Sequence, residues 1–349
     1  MRLGIIGLPG SGKSTIFHAL TRSKLEKGAR KAHRIATVQV PDSRVDTLNG
    51  LFRPDKTVYA RVEYLLPYGT KAYSLSGQSD ESFWNEARVC DALIHVVRNF
   101  HQRGGEAPNP RDDFIKLETD MIFADLVVVE KRIERLDLDK KRGKKIGAEE
   151  RRLLKACLQM LEAQRPLRDD PKLATAHLLK GYALLSAKPL LVIFNNYDED
   201  ESPPLWEEPP ELFNSFVVRG KLEMELGELS PEEAAEFMTA YNIKSSAMDR
   251  VIQHSCNVLA LIAFFTVVHK EVRSWMVPQG TTAIDAAEVI HSDMKRGFVR
   301  AEVLAYDDLM ASGTYPQAKR EGKVRLEGKT YIVQDGDIMT FRFGVSTSQ

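Results

Sequence analysis

Gly7-Leu8-Pro9-Gly10-Ser11-Gly12-Lys13-Ser14 lies close to the start of the chain and fits the pattern G-x-x-x-x-G-K-[ST] at every fixed position. Before it, Leu3, Ile5 and Ile6 make a short apolar run; after it, Ile16, Ala19 and Leu20 recur at helical spacing. Strand, glycine loop, helix is the order this pattern needs. The glycines let successive backbone N–H groups curl around phosphate oxygens without a Cβ in the way, and the helix N-terminus adds its partial positive charge. Gly7, Gly10, Ser11 and Gly12 are therefore expected to line the phosphates of ATP or GTP. The Lys13 ammonium, the one catalytic side chain expected here, should reach the β- and γ-phosphates, the Ser14 hydroxyl should ligate Mg²⁺, and Thr15 should add an α-phosphate contact.

Two further runs, Ala92 to Val97 and Leu190 to Phe194, are short and continuously apolar, as strands covered on both faces of a parallel sheet are. An α/β fold is implied. Between them Leu126, Val129, Ile133 and Leu136 follow a three-four-three spacing that Leu154, Leu158 and Leu161 continue, which predicts two helices in a hairpin. Lys140-Lys141-Arg142-Gly143-Lys144-Lys145 has no apolar residue and should form its exposed tip. After Ser202-Pro203-Pro204 and Pro209-Pro210, both loop-like, a strand at Phe216 to Val218 and helices through about Val268 are expected to complete the nucleotide domain. From about Glu271 short β-like segments, Phe298 to Leu304 and Lys329 to Val333 among them, alternate with Gly and Asp turns and suggest a small α+β module. The expected boundaries are 1–118 and 184–268 for the nucleotide domain, 119–183 for the inserted arm and 269–349 for the C-terminal domain.

The chain of 349 residues is long enough for two or three domains, and its 49 Lys plus Arg balance 49 Asp plus Glu, so no global field draws it to nucleic acid or an anionic membrane. Contacts of that kind must come from local patches. Cys90, Cys157 and Cys256 are an odd, scattered set that suits neither a disulfide framework nor a zinc site. The apolar run Val258 to Val268 is far short of the ~20 residues that span a bilayer. A soluble, cytoplasmic protein without membrane contact is expected.

Base recognition must lie outside the glycine loop, which small-molecule kinases and switch NTPases share. Asn195-Asn196-Tyr197-Asp198 follows the strand Leu190 to Phe194, at the strand end where open α/β sheets place ligands. It resembles the Asn-Lys-x-Asp motif of GTPases, in which the Asp accepts from guanine N1 and N2, the Asn bridges loops and the Lys lies along the base. Asn196 replaces that Lys. Arg219-Gly220-Lys221 stands in the place of the Ser-Ala-Lys base loop, which adds Gly220 to Asn195 and Asp198 as expected nucleotide contacts.

Taken together these segments resemble the YchF (Obg-like) ATPases, translation-factor-class P-loop GTPases. The C-terminal stretches His291 to Val303 and Val333 to Phe343 look like that family's TGS module, and Val40-Pro41-Asp42-Ser43-Arg44, Asp91 to Arg98 and Lys270-Glu271-Val272-Arg273-Ser274-Trp275 also resemble the family. The resemblance implies a GTPase-like P-loop domain, an inserted coiled-coil arm, a β-grasp TGS domain, slow ATP hydrolysis and ribosome association. Where the family has Asp-x-x-Gly after a strand, this chain aligns Leu66-Pro67-Tyr68-Gly69, and leucine cannot hold a Mg²⁺-bound water. Thr37 is the spare candidate for the first switch's Thr ligand.

A nucleotide switch with slow Mg²⁺-dependent NTPase activity is the leading expectation; a non-hydrolysing nucleotide-binding adaptor is the alternative that Leu66 favours. A small-molecule kinase lacks an arginine-lined lid here. Ribosomal RNA phosphates could be met by the basic arm, 131–155, through the tip and its flanks Lys131, Arg132, Arg151 and Arg152, or by the TGS cations Arg296, Arg300, Lys319, Arg320 and Lys323. The competing reading is a solvated coiled-coil surface. His95, inside an apolar strand, is expected to be a core residue with its hydrogen bonds satisfied.

Overall fold

In chain order the first elements are β1 (Arg2–Ile6), α1 (Lys13–Thr21), β2 (Arg34–Gln39), α2 (Ser43–Phe52), β3 (Lys56–Val58), β4 (Arg61–Leu66), α3 (Glu81–Arg88) and β5 (Ala92–Asn99). There follow α4 (Pro110–Lys141), α5 (Ala148–Glu162), α6 (Pro171–Ala174), β6 (Leu190–Asn196), β7 (Ser215–Val218), α7 (Gly220–Glu228), α8 (Pro231–Ala240) and α9 (Ala247–Val258). The last are β8 (Leu261–Val268), β9 (Glu271–Pro278), α10 (Ala283–Ile290), α11 (Ser292–Arg296), β10 (Phe298–Ala305), α12 (Tyr306–Ser312), α13 (Tyr315–Arg320), β11 (Arg325–Glu327) and β12 (Asp337–Phe343). The structure is a computed structural model and describes residues 1–22, 34–68, 81–101, 106–205, 214–241, 243, 246–268 and 270–344. Two compact units emerge: Met1–Val38 with Glu63–Val251, and Gln39–Val62 with Ile252–Gln349.

The first unit is built on a six-stranded sheet of order β2-β4-β1-β5-β6-β7, in which β1 runs parallel to β4 and β5, and β6 parallel to β5 and β7. The apolar runs predicted it: Leu3, Ile5, Ile6, Leu93, Ile94, Leu191 and Ile193 are all fully buried, as central strands covered on both faces require. Against one face pack Phe83, Trp84 and Ala87 of α3 and Leu117 and Met121 of α4. Asn109 caps α4 by accepting from Asp112 N–H, and Pro110 takes the first turn, where a missing N–H does no harm. The helix then leaves the sheet as the outgoing limb of the arm, where Val129 and Leu136 meet Leu154, Cys157 and Leu161 of α5. The seam ends where the polar run begins, and Gly143, at φ 76°, turns the chain.

The second unit holds a sheet of order β11-β10-β12-β8-β9-β3. The β8/β9 hairpin is antiparallel, β12 runs parallel to β8, and α10 lays Ala283, Ala286 and Ala287 against Phe264, Val277, Val303 and Met339, a β-grasp arrangement. Across the other face Val45 and Leu48 of α2 join Phe265, Leu304, Leu309 and Ala318.

Four expectations are corrected. The run up to Val268 ends in strand β8, not helix, and belongs to the second sheet; a continuous apolar run has no period to tell the two apart. Lys329 to Val333 forms no strand, only a single bridge from Ile332 to Thr282, because the turn Gly328-Lys329-Thr330 takes up most of it. The segment 39–62, placed by sequence in the nucleotide domain, belongs to the C-terminal unit, since β3 pairs with β9 and α2 buries its apolar face there. The arm also has no boundary at 119, which falls inside α4.

Candidate functional site

The loop from Gly7 to Thr15 crosses from the carboxyl end of β1 into α1, and its shape depends on glycine. Gly12 sits at φ 93°, ψ 16° as the N-cap of α1 without any side-chain cap, which leaves the first N–H groups of the helix to point out of its end. A Cβ on Gly12 would lie 2.1 Å from Asn195 Nδ2, and one on Gly7 2.4 Å from the Val96 carbonyl oxygen and 2.7 Å from Ser11 Oγ. Gly10 also has positive φ, at 80°. Lys13 is 6% exposed. Its Nζ donates to the Leu8 carbonyl at 2.7 Å, its one hydrogen-bond partner among the described residues. Burial lowers its pKa to about 8. Ser11 Oγ is buried with no partner among the described residues. Among the described residues this ammonium has no carboxylate partner, and a buried cation beside an unpartnered hydroxyl and uncapped helix N–H groups suits an anion.

Asn195 ties this loop to the second half of the sheet. Its Nδ2 donates to the Ser11 carbonyl at 3.0 Å and its Oδ1 accepts from Gly220 N–H at 3.0 Å, so one buried amide spans both loops, as the motif implies. A cavity of about 420 Å³ opens beside it, lined by Gly12, Thr15, Phe100, Asp198, Lys221 and Met224 among others. Sequence reasoning missed Phe100 and Met224. The available signal for Phe100 was its place just past the carboxyl end of β5, where such sheets collect ligand contacts.

Asp198 is brought to the cavity, but its carboxylate is already engaged: Oδ1 accepts from Leu222 N–H at 3.2 Å, and Oδ2 from Lys221 Nζ at 3.3 Å. Asn196 does not lie along a base as the replaced Lys would. It is buried, its Oδ1 accepting from Asn99 Nδ2 at 2.8 Å and its Nδ2 donating to the Ser202 carbonyl at 2.8 Å, which braces the ends of β5 and β6.

Leu66 is the last residue of β4 and is buried, while Gly69, the other fixed position of that alignment, lies outside the described residues, as do Pro209 and Pro210. Thr37 is exposed within β2, an edge strand separated from β1 by β4. His95 is in the core as expected, but neither ring nitrogen has a partner among the described residues. Its ring stacks on Phe114 at 5.3 Å, and burial drives its pKa down to about 3, so it stays neutral. In the arm, Arg132, Arg151, Arg152 and Lys144 are paired with Glu150, Asp137, Glu149 and Asp139. Lys140, Lys141, Arg142 and Lys145 of the tip are exposed as well, and none has an ion pair among the described residues. No helix among the described residues is long and apolar enough to cross a membrane.

Residues 261–344 match the family model YchF-GTPase_C, described as a protein of unknown function (DUF933). Over 367 residues the chain is 36% identical to the ribosome-binding ATPase YchF of Bacillus subtilis, with 98% of this chain and 99% of that protein covered. The chain belongs to the YchF family. It is also 37% identical to the ribosome-binding ATPase YchF of Haemophilus ducreyi, over 99% of both chains. The solved structure of the Schizosaccharomyces pombe YchF GTPase superposes with a TM-score of 0.82 at 28% identity, covering 98% of this chain and 97% of that one. As a YchF-family chain it combines the P-loop NTPase fold with the family's C-terminal domain.

Proposed function

We propose that this chain is a Mg²⁺-dependent, ATP-preferring P-loop protein whose nucleotide state governs its association with ribosomes in the cytoplasm. The observation that carries the reading is the Lys13 ammonium, buried in a glycine cradle with a carbonyl as its partner. Phosphate is the ligand that satisfies the cation, the Ser11 hydroxyl and the helix N–H groups together. Among the described residues no cluster of His, Cys, Asp or Glu could hold a metal. A magnesium ion would therefore rest on the Ser14 hydroxyl and the phosphates, and would supply charge neutralisation on the γ-phosphate.

The preference for adenine follows from hydrogen-bond accounting. Guanine needs a carboxylate for N1 and N2 and an N–H for O6; here Leu222 N–H and Lys221 compete for Asp198, and Gly220 N–H is taken by Asn195. Adenine, with an N6 amine to donate and no O6, makes neither demand, and can be enclosed by Phe100, Met224 and the stem of Lys221. The relatives from Bacillus subtilis and Haemophilus ducreyi carry the name ribosome-binding ATPase, which supports the same reading. The exposed tip cations Lys140, Lys141, Arg142 and Lys145 are the groups for ribosomal RNA phosphates, through contacts that weaken with salt.

Turnover is proposed to be slow. Lys13 stabilises charge on the transferring phosphoryl group, but Leu66 offers no oxygen where a carboxylate would orient a metal-bound water. The same residue favours a second reading, a non-hydrolysing adaptor. A single-turnover assay with ATP and GTP, with and without ribosomes, separates them. Slow Mg²⁺-dependent ATP hydrolysis by the wild type is expected; hydrolysis only by Leu66→Asp would establish the adaptor.

A further inference from the structure

Arg88 ends α3, and its guanidinium is where that helix meets the root of the arm. Nη1 donates to Asp125 Oδ1 and to the Ala183 carbonyl, each at 3.0 Å, and Nη2 donates to the Ala124 carbonyl at 3.1 Å. Asp125 is fully buried. It accepts in addition from Leu185 N–H at 2.9 Å, Ser186 N–H at 2.7 Å and Ser186 Oγ at 2.8 Å. One ion pair thus gathers α3, the outgoing limb of the arm at Ala124 and Asp125, and the returning limb at Ala183 to Ser186. The planar fork of arginine is what makes three contacts in two directions possible; a lysine ammonium has no such geometry.

The same short helix reaches toward the phosphate loop. Glu86 Oε2 accepts from Tyr68 N–H at 2.7 Å, just past the end of β4. Phe83, Trp84 and Ala87 share one core with Leu8 of the phosphate loop, with Ile6 and Leu65, and with Leu117, Met121 and Leu185 of the arm's root. Close-packed interiors pass a displacement on without absorbing it. Helix α3 thus shares a core with Leu8 of the phosphate loop and is hydrogen-bonded to the root of the arm.

We propose that Arg88 is a positioning residue that couples the phosphate site to the helical arm, so that nucleotide at the loop alters the arm's root and a partner on the arm alters nucleotide affinity. The two effects are equal by linkage. The proposal rests on the nucleotide reading of the loop, and its test separates the two. In the full-length protein, hydrogen exchange at the Leu185 and Ser186 amides is followed with and without Mg²⁺ and a non-hydrolysable ATP analogue, alongside calorimetric binding of the analogue.

In the wild type, nucleotide is expected to slow exchange at those amides about threefold or more. The variant Arg88→Gln removes the guanidinium and leaves Asp125 in place, so the Leu185 and Ser186 amides keep their acceptor. It should bind the analogue as the wild type does and lose the exchange response. Arg88→Lys should retain part of it, and if Arg88→Gln does not fold, this one carries the comparison. A wild-type protein that binds the analogue without any exchange response, or variants that respond as fully as the wild type, would overturn the coupling. No binding at all by the wild type would remove the nucleotide reading, and the coupling with it.

Discussion

The two ends of the nucleotide site solve recognition by different means. At the phosphate end the proposed ligand would meet backbone N–H groups shaped by glycine conformations and one buried cation whose hydrogen-bond partner among the described residues is a single carbonyl. At the base end it would meet side chains that already have protein partners: Asp198 with Leu222 N–H and Lys221 Nζ, Asn195 with the Ser11 carbonyl and Gly220 N–H, and behind them Asn196 with Asn99 and the Ser202 carbonyl. A backbone cradle is defined by local sequence and keeps its meaning wherever it occurs. A side-chain reader means only what its competitors leave it.

The strongest way to break this contrast is at Lys13. Lys13→Ala is expected to weaken ATP and GTP alike on the order of 100-fold in calorimetry, because the phosphates lose a buried charge partner. Undiminished binding would end the phosphate reading. The pH dependence tests the same group with no mutation. Burial lowers Lys13 to about 8, so above that pH the loop without ligand carries a neutral amine, and phosphate must bring a proton with it. Affinity should fall by up to about tenfold per pH unit above pH 8, with proton uptake on binding. Stability has the opposite sign: from the folded pKa of about 8 up to the ordinary value of 10.5 the unfolded chain binds more protons, so the ligand-free protein gains stability as pH rises.

Asn195 is where the two ends meet, and a smaller effect is expected there. Asn195→Ala leaves the Ser11 carbonyl and Gly220 N–H buried without their partner, and should weaken both nucleotides about tenfold without changing their ratio. A change in the ratio would show that Asn195 reads the base.

The sequence was informative where chemistry is local. Gly7 to Thr15, the apolar strands around it and the arm's heptad-like seam are each set by residues a few positions apart, and each is found where it was read. The segment 39–62 could not be assigned that way: Val45 and Leu48 have the spacing of any half-buried helix, and the three residues of β3 carry no pattern, so only the pairing with β9 reveals their unit. Arg88 and Asp125 are 37 positions apart and look like ordinary charged helix residues until the fold brings them together. Asp198, expected from the sequence as a nucleotide contact, lines the cavity beside Asn195. What the sequence could not supply was Lys221 and Leu222 already bonded to it.

That difference makes Asp198→Asn the most discriminating of the small perturbations. Asparagine keeps an oxygen to accept from Leu222 N–H and gives up the ion pair with Lys221, an exposed contact worth little by itself. If the carboxylate only braces α7, ATP affinity should stay within about twofold and GTP affinity should change by less than about fivefold. If it reads guanine, an amide in its place presents a donor to a donor, and GTP should be lost on the order of 100-fold while ATP is untouched. That result would return the base end to the logic of the phosphate end, with the ligand as the better partner, and would replace the ATP preference proposed above by one for GTP.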